Sequence, residues 1–327
     1  MKLVAVVVLV VSTFFAAMAT AQDKSRDAAD TLSAVVRVKA RILPNARSAE
    51  SLGTAREGNG VLIRDNVVLT IGYLVIEADG IEVISGDGRA VPATLAGYDH
   101  ASGFGLLRLV APIEGKPLPL GDSRQLAERD AVMVAAHGGR EGVSLAYVVS
   151  RRPFSGSWEY LLDSAIFTYP PVMNWSGAAL IGPKGDLLGI GSLVVGDAMS
   201  PGSQSPGNMF VPIDLLKPIL NDLIDKGRSG TARPWLGMAT EELRGRLFVS
   251  RVSPDGPAAR AGLQRGDILV GVAGEEVSSL ADFYRKLWAR GSAGVEVPLK
   301  VLQGAQVKEV SVRSIDRVDY FRAKPTL

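Results

Sequence analysis

The sequence predicts a mainly β protein with two domains. Short apolar segments that suit β-strands recur about every 8–12 residues with turn residues between them, which is typical of sandwiches and barrels. Glycine accounts for 36 of the 327 residues, or about 11%, against a usual ~7%, as expected of a chain with many tight turns. The chain is long enough for two domains, and a helical pattern followed by a short polar linker divides it near residue 230.

The larger domain is predicted to span residues 34–227. Its predicted strands are residues 35–38, 60–63, 67–69, 81–84, 105–109, 131–135, 145–149 and 187–190. Asp214 is a candidate cap for a closing helix, because an apolar stripe at helical spacing runs from Leu215 to Ile224. Gly227 is expected to end this helix, and residues 228–232 form the linker.

The second domain is predicted to span residues 233–314, and residues 315–327 follow as a tail without a clear pattern. Its predicted strands are residues 247–252, 267–272, 295–302 and 307–312. A short helix fits residues 257–262, and Ser279 and Asp282 resemble a capping box that opens a second helix. The apolar side of this second helix carries Leu280, Phe283 and Leu287.

The N-terminus predicts export. Lys2 precedes an unbroken apolar stretch, and Ala19-Thr20-Ala21 fits signal-peptidase cleavage after Ala21. The apolar run is shorter than the roughly 20 residues that span a bilayer, which argues against the alternative of an uncleaved membrane anchor. We therefore expect a signal peptide at residues 1–21, a polar N-terminal arm at residues 22–33, a periplasmic location and no stable membrane span after cleavage.

Composition narrows the possible chemistry. The formal net charge is +2, and removal of Lys2 leaves +1, so nothing favours nucleic acid as a partner. The chain has no cysteine, which excludes thiol catalysis and cysteine-ligated metal, and His100 and His137 are its two histidines. No residues stand at metal-ligand spacing, and we expect neither a metal nor a cofactor.

The second domain resembles a PDZ module. Trp235-Leu236-Gly237-Met238 matches the carboxylate-binding loop of bacterial PDZ domains, and residues 253–272 match their long central motif. The resemblance implies an α+β domain that binds extended peptides at a sheet edge and holds the C-terminal carboxylate with backbone amides. Leu280, Phe283 and Leu287 are candidates for the peptide side-chain pocket, although apolar residues at this spacing more often fill a core.

The larger domain resembles the trypsin-like HtrA proteases. Residues 57–63 match the glycine-flanked first strand pair of that family, Leu120-Gly121-Asp122-Ser123 matches a family turn, and residues 185–191 and 210–213 match the strands after the nucleophile. With the PDZ module behind it, the resemblance covers nearly the whole mature chain. It implies two six-stranded antiparallel barrels with the active site between them.

Of the three catalytic positions of that family, this chain keeps the serine and has other residues in place of the histidine and the aspartate. Leu-Thr-Asn-Ala-His-Val falls on residues 69–74 and puts Tyr73 at the histidine position. Asp-Pro-x-Ser/Thr-Asp-Leu-Ala falls on residues 99–105 and puts Gly103 at the aspartate position. Gly-Asn-Ser-Gly-Gly-Pro-Leu falls on residues 174–180, which keeps the nucleophile as Ser176 and puts Asn174 in place of an oxyanion-loop glycine.

This pattern indicates that peptidase activity is lost. A serine hydroxyl is a weak nucleophile until a base takes its proton, and a phenol with a pKa of about 10 is neutral at pH 7. Gly103 has no side chain to orient a base. Asparagine tolerates unusual backbone dihedrals, so the oxyanion loop can persist with Asn174. Trp175 either shields the site or packs on a neighbouring loop.

Three residues are candidates for a substitute base: His100, His137 and Lys184. Both histidines are more typical of surface or turn positions. Lys184 is in principle able to form a serine–lysine pair, but a lysine that follows Gly-Pro in a turn is more often solvated. Asp99 matches a non-catalytic position and is expected to brace a turn.

The leading hypothesis is a catalytically silent HtrA-like protein that binds unfolded or C-terminal peptides in envelope protein quality control. It would serve as an adaptor, a holdase or a regulator of a related active protease. The alternative is an active serine endopeptidase that uses Ser176 with a non-standard base. A third hypothesis is a scaffold whose first domain mediates assembly. The resembled family often forms trimers, so a homo-oligomer stays open, as does the preferred peptide.

Overall fold

The computed structural model describes residues 29–230 and 232–321, which form two closed β-barrels followed by an open β-sheet with helices. This mainly β architecture confirms the fold class predicted from the sequence. The predicted signal peptide and residues 22–28 of the predicted arm lie outside the described residues, while residues 29–33 are helical. No helix in the described ranges is long and apolar enough to cross a membrane.

The first barrel has six antiparallel strands in the order β1-β2-β3-β6-β5-β4, and β1 closes it by pairing with both β2 and β4. The strands are β1 (Val35–Ile42), β2 (Ala55–Arg64), β3 (Val67–Ile71), β4 (Ala78–Ile84), β5 (Ala90–Tyr98) and β6 (Phe104–Leu109), and a short helix, α1 (Ala49–Leu52), joins β1 to β2. Burial alternates along the second half of β1, as a half-buried strand requires, whereas β3 is buried throughout. In β1, for example, Val38 and Ala40 are buried while Lys39 and Arg41 are exposed.

The second barrel follows the order β10-β11-β12-β9-β8-β7, with β10 paired to β7. Its strands are β7 (Ala131–Ala135), β8 (Val143–Gly156), β9 (Tyr160–Tyr169), β10 (Ala179–Ile181), β11 (Leu187–Val195) and β12 (Gly207–Pro212). The sequence prediction misses β5, β9 and the three-residue β10. A β-bulge between Leu95 and Gly97 breaks the alternation of β5, and the polar pair Asp163-Ser164 interrupts the apolar run of β9.

The two barrels pack through one shared apolar core. Ile71 and Phe104 of the first barrel belong to the same buried cluster as Phe167 and Ala179 of the second. Interiors of this kind are close-packed, so the relative position of the barrels is fixed by side-chain shape. The junction therefore holds loops from both barrels at a defined distance from each other.

The segment after the second barrel differs from the predicted long helix. A 3₁₀ turn at Ile213–Leu215 precedes a shorter α-helix, α2 (Leu220–Lys226), which ends at Gly227 with φ +73° as a glycine stop requires. Asp214 does not cap this helix. Its carboxylate instead accepts hydrogen bonds from the backbone N and the Oγ of Ser123, at 2.7 and 2.6 Å.

The second domain is an open sheet in the order β13-β14-β15-β17-β18, with β13 at one edge. Its elements are β13 (Met238–Leu243), β14 (Arg246–Val252), α3 (Pro257–Arg260), β15 (Ile268–Val272), β16 (Glu275–Glu276), α4 (Leu280–Trp288), β17 (Glu296–Gln303), β18 (Gln306–Arg313) and α5 (Arg317–Phe321). Ser279 caps α4, since its Oγ accepts a hydrogen bond from the backbone N of Asp282 at 3.1 Å. The described part of the predicted tail, residues 315–321, contains the short helix α5.

Candidate functional site

Ser176 lies in the loop before β10, at the junction of the two barrels. Its carbonyl oxygen accepts hydrogen bonds from the backbone N of Asn59 at 2.7 Å and from the Asn59 Nδ2 at 3.0 Å. Asn59 belongs to β2, so these bonds tie the serine loop of the second barrel to the first barrel. The same Nδ2 lies 3.0 Å from the carbonyl oxygen of Asn174. Sequence reasoning missed Asn59, because a residue in a matched strand gives no signal of a contact 117 positions away.

Two glycines permit this close approach. Gly177 has φ +72°, and a Cβ on it would lie 1.9 Å from the carbonyl oxygen of Asn59. A Cβ on Gly58 would lie 2.8 Å from the carbonyl oxygen of Ser176 and 3.0 Å from its Oγ. Any larger residue at either position would push the serine loop away from β2.

Tyr73 takes the place beside the serine that a base would occupy. It lies in the 3₁₀ turn Gly72–Leu74 after β3, and its Oη is 2.8 Å from the Ser176 Oγ and 2.8 Å from the carbonyl oxygen of Ser192. A phenol has one proton, and a carbonyl oxygen can only accept. If the phenol donates its proton to the Ser192 carbonyl, the Ser176 hydroxyl must donate to the Tyr73 oxygen. A neutral phenol oxygen has little affinity for a proton, so it does not remove the proton of Ser176.

The protonation of Tyr73 follows from its surroundings. Burial raises the pKa of Tyr73 to about 12, although hydrogen bonds with the Ser176 and Trp175 side chains act in the opposite direction. A general base works best when its pKa lies near the working pH. The Tyr73 phenol is therefore neutral at pH 7, and its deprotonated, basic form is rarer than that of a free tyrosine.

Gly103, which the sequence pattern predicts at the aspartate position, has a backbone conformation that favours glycine. Its φ is +82°, and a Cβ placed there would lie 3.4 Å from the Oη of Tyr160, a residue of the second barrel. The Tyr160 hydroxyl donates a 2.6 Å hydrogen bond to the carbonyl oxygen of Ser102 and is buried. An aspartate at 103 would therefore need a left-handed backbone, with its Cβ in ordinary van der Waals contact with Tyr160. Nearby, the Asp99 carboxylate accepts from Ser102 and so braces the turn.

Neither histidine is hydrogen-bonded to Ser176 in the described structure. The His100 ring packs against Tyr98 at a centroid distance of 4.3 Å, and burial together with the Arg317 charge lowers its pKa well below the usual value. The Nε2 of His137 lies 3.2 Å from the carbonyl oxygen of Ser85. Lys184 is exposed in the β10–β11 turn.

A cavity of about 400 Å³ opens beside Ser176. Its lining comes from both barrels: Arg37, Glu57, Gly58, Asn59, His137, Met173, Asn174, Trp175 and Ser176. Asn174 is exposed and Trp175 is half-buried, so the tryptophan forms part of the wall. Space for a ligand thus remains next to the serine.

The predicted carboxylate-binding loop of the second domain converges on one carboxylate, that of Glu159. The backbone amides of Leu236, Gly237 and Met238 donate to its Oε1 at 3.2, 2.7 and 3.2 Å, and the Leu236 amide also lies 2.9 Å from Oε2. The Trp235 amide points elsewhere and donates to the carbonyl oxygen of Ile315. Glu159 comes from the turn between β8 and β9, and no sequence motif marks it.

The three predicted pocket residues, Leu280, Phe283 and Leu287, are all buried in the core of the second domain. The same apolar cluster includes Leu161 of β9, which enters from the second barrel. The edge of this core is therefore completed by the larger domain.

The pKa of Glu159 is set mainly by burial, which raises it to about 7, although the three amides and the charge of Arg317 act in the opposite direction. In an unfolded chain the pKa of a glutamate is about 4.3. Because the folded pKa is the higher one, the folded chain binds this proton more tightly. The stability gained is present below pH ~4.3 and is lost as the pH rises to about 7.

We expect this titration to appear when the protein is compared with Glu159→Gln, which stays neutral at every pH. The melting temperature of the natural protein relative to that of the variant should fall by about 5 °C between pH 4.5 and 8. Thermal melting followed by circular dichroism measures the difference. A difference that does not change with pH would show that the Glu159 carboxyl is not buried in this way.

Two family profiles match the chain. The profile of the trypsin-like peptidase domain matches residues 58–190, and the profile of the PDZ domain matches residues 234–313. Among curated proteins, the periplasmic pH-dependent serine endoprotease DegQ of Escherichia coli is 29% identical over 272 residues, which cover 78% of this chain and 58% of DegQ. A probable periplasmic serine protease do/HhoA-like of Haemophilus influenzae is 28% identical over 274 residues, which cover 78% of this chain and 57% of the relative. The chain thus spans somewhat more than half the length of these relatives.

Solved structures of the same kind share the fold. The serine endoprotease from Yersinia pestis superposes with a TM-score of 0.54 at 24% identity, over 89% of this chain and 97% of the other. The HtrA-type protease AlgW with a tripeptide gives a TM-score of 0.54 at 22% identity, over 92% of this chain and 98% of the other. The chain therefore has a trypsin-like peptidase domain followed by a PDZ domain, and it is similar in sequence and domain order to the HtrA-type proteases.

Proposed function

We propose that this chain is a catalytically silent HtrA-like protein that binds exposed or C-terminal peptide segments through its PDZ domain, in protein quality control of the periplasm. One observation supports the proposed lack of peptidase activity. The Ser176 hydroxyl is hydrogen-bonded to Tyr73, a partly buried phenol whose pKa is raised to about 12. In well-studied serine proteases, loss of the base or the serine lowers the rate by about 10⁴–10⁶.

The residual chemistry of such a site is small. An intact oxyanion loop alone is able to give about 10³–10⁴ over the reaction in water. The Asn59 bonds to Asn174 and Ser176 hold the loop in place, which supports a preserved frame without a working nucleophile. We therefore expect peptide binding without turnover at this cleft.

The expected result is that a fluorophosphonate probe labels the protein no more than it labels Ser176→Ala, and that casein is not digested. The reason is that Ser176 stays protonated at pH 7 and cannot attack the phosphorus or a peptide carbonyl. In-gel fluorescence and a digestion time course measure both, with trypsin as the positive control. Labelling that disappears in Ser176→Ala would contradict the proposal.

The second candidate is an active endopeptidase that uses His137 as its base. It is favoured by one observation: His137 lines the same cavity as Ser176, and its Nδ1 is buried without a hydrogen-bond partner among the described residues. Labelling of Ser176 that is lost in His137→Ala would establish this candidate. Labelling that survives in His137→Ala would exclude His137 as the base.

The location and partners follow from the same family argument. A periplasmic location is supported by the predicted signal peptide and by the periplasmic names of the relatives. A related active protease is a proposed partner, and a homo-oligomer is compatible with the fold. Binding of an unfolded protein, measured with and without residues 233–314, separates peptide capture by the PDZ domain from a scaffold role of the barrels.

A further inference from the structure

The turn between β8 and β9 enters the peptide groove of the PDZ domain. We call residues 156–159 the hairpin tip: the last residue of β8, Gly156, and the three turn residues that follow it. The backbone N of Thr240, on edge strand β13, donates a 2.9 Å hydrogen bond to the carbonyl oxygen of Ser157. A bound peptide adds to the edge of a PDZ sheet through main-chain bonds of the same kind.

The carboxylate of Glu159 lies where a peptide terminus would be held. It accepts hydrogen bonds from the backbone amides of Leu236, Gly237 and Met238. Glu159 stands two residues after Ser157, whose carbonyl oxygen bonds the edge strand. A free C-terminus offers the same group, a carboxylate with two oxygens, at the end of an extended strand. The hairpin tip therefore has both features of a PDZ ligand: a main-chain bond to the edge strand and, two residues later, a carboxylate in the amide loop.

Further bonds hold the hairpin tip from the other side of the groove. The Tyr284 hydroxyl, on α4, donates to the carbonyl oxygen of Gly156 at 2.8 Å and lies 3.1 Å from the backbone N of Glu159. Arg317, at the start of α5, donates through Nη1 to the carbonyl oxygen of Trp158 at 3.0 Å. Every residue of the tip therefore bonds the second domain.

Both the burial and the backbone conformation of Glu159 are energetically unfavourable. It is 5% exposed and has φ +57°, which is uncommon for a residue with a side chain. Turn residues usually lie in solvent, and burial of a carboxylate is unfavourable unless hydrogen bonds compensate it. Such a conformation persists only where the surrounding structure imposes it, and here the PDZ loop supplies the compensating amides.

We propose that the hairpin tip is a built-in ligand that keeps the PDZ groove closed, and that an external peptide binds only by displacing Glu159. This inference rests on the proposed peptide binding. The ligand class follows from the occupied register: an extended peptide with a free C-terminal carboxylate in place of the Glu159 carboxylate. An apolar last side chain suits this site, because Leu236 and Met238 of the loop belong to the same apolar cluster as Leu161.

The experiment compares the natural protein with Glu159→Ala and with Glu141→Ala, an exposed glutamate of the same barrel as the matched control. The probe is a fluorescein-labelled ten-residue peptide that ends in Ser-Trp-Leu with a free carboxylate, and the same peptide with a C-terminal amide tests the need for the charge. We expect Glu159→Ala to bind the carboxylate peptide at least about 10-fold more tightly than the other two proteins, because a closed groove lowers the apparent affinity in proportion to the open fraction. The amide peptide should show no such gain.

Hydrogen exchange of the amides in residues 235–243 gives a second readout without peptide. We expect slow exchange in the natural protein and faster exchange in Glu159→Ala, with Glu159→Gln as the replacement where the alanine variant does not fold. Fast exchange in the natural protein, with equal and tight peptide binding by all variants, would overturn the closed groove and leave peptide binding intact. Protection that depends on Glu159, with no peptide bound by any protein, would support the closed groove and contradict the proposed function.

Discussion

Replacement of Gly177 by alanine is expected to lower the melting temperature by on the order of 10 °C. The new Cβ would lie 1.9 Å from the carbonyl oxygen of Asn59, and real Cβ atoms essentially never come within 3.0 Å of another atom. The φ of +72° adds strain of its own. Since Asn59 belongs to a barrel strand and cannot move alone, we expect a loss of at least about 4 kcal/mol. Thermal melting followed by circular dichroism measures it.

Gly196→Ala is the matched control for this prediction. Gly196 follows β11 in the same barrel, its φ lies outside the left-handed region, and a Cβ on it would meet no atom within 4 Å. Its melting temperature should stay within about 2 °C of the natural protein. If Gly177→Ala melts as Gly196→Ala does, the serine loop does not lie against β2 as described.

Replacement of Arg56 by methionine is expected to remove about 3 kcal/mol or more from the free energy of unfolding. The Arg56 guanidinium is buried and donates to the carbonyl oxygens of Gly53, Tyr73 and Ile76 and to the Ser48 Oγ, at 2.8 to 3.1 Å. Methionine keeps the apolar stem but leaves the two buried acceptors, the Ile76 carbonyl oxygen and the Ser48 Oγ, without the guanidinium, and each buried unpaired group costs about 1–3 kcal/mol. The variant also loosens the turn that carries Tyr73. Chemical denaturation followed by tryptophan fluorescence measures the change.

Arg41→Met is the control for Arg56. Arg41 pairs with Asp79 at 2.7 Å on the surface of the same barrel, and 75% of its side chain is exposed. Exposed ion pairs contribute about 0–1 kcal/mol, so this variant should unfold nearly as the natural protein does. Equal effects of the two substitutions would mean that the contacts of Arg56 are not buried.

The sequence predicts the fold class and the domain order, and local motifs of fixed spacing are what single out Ser176, Tyr73 and Gly103 as site candidates. It does not reveal that the Tyr73 hydroxyl reaches Ser176, a contact across 103 positions. Nor does it reveal Glu159, a single polar residue in a turn, whose role depends on a domain that begins more than seventy residues later. Contacts of this kind are set by how the barrels and the second domain pack, and no periodicity records them.

The burial of Tyr160 between the two barrels has a consequence for attempts to rebuild an enzyme from this chain. An imidazole introduced at position 73 would find a tyrosine hydroxyl and a bare glycine where a carboxylate should anchor it. Repair would require substitution of at least residues 73 and 103, and the φ of +82° at residue 103 disfavours any side chain there. Engineering by one residue at a time would pass only through intermediates that still lack a working nucleophile.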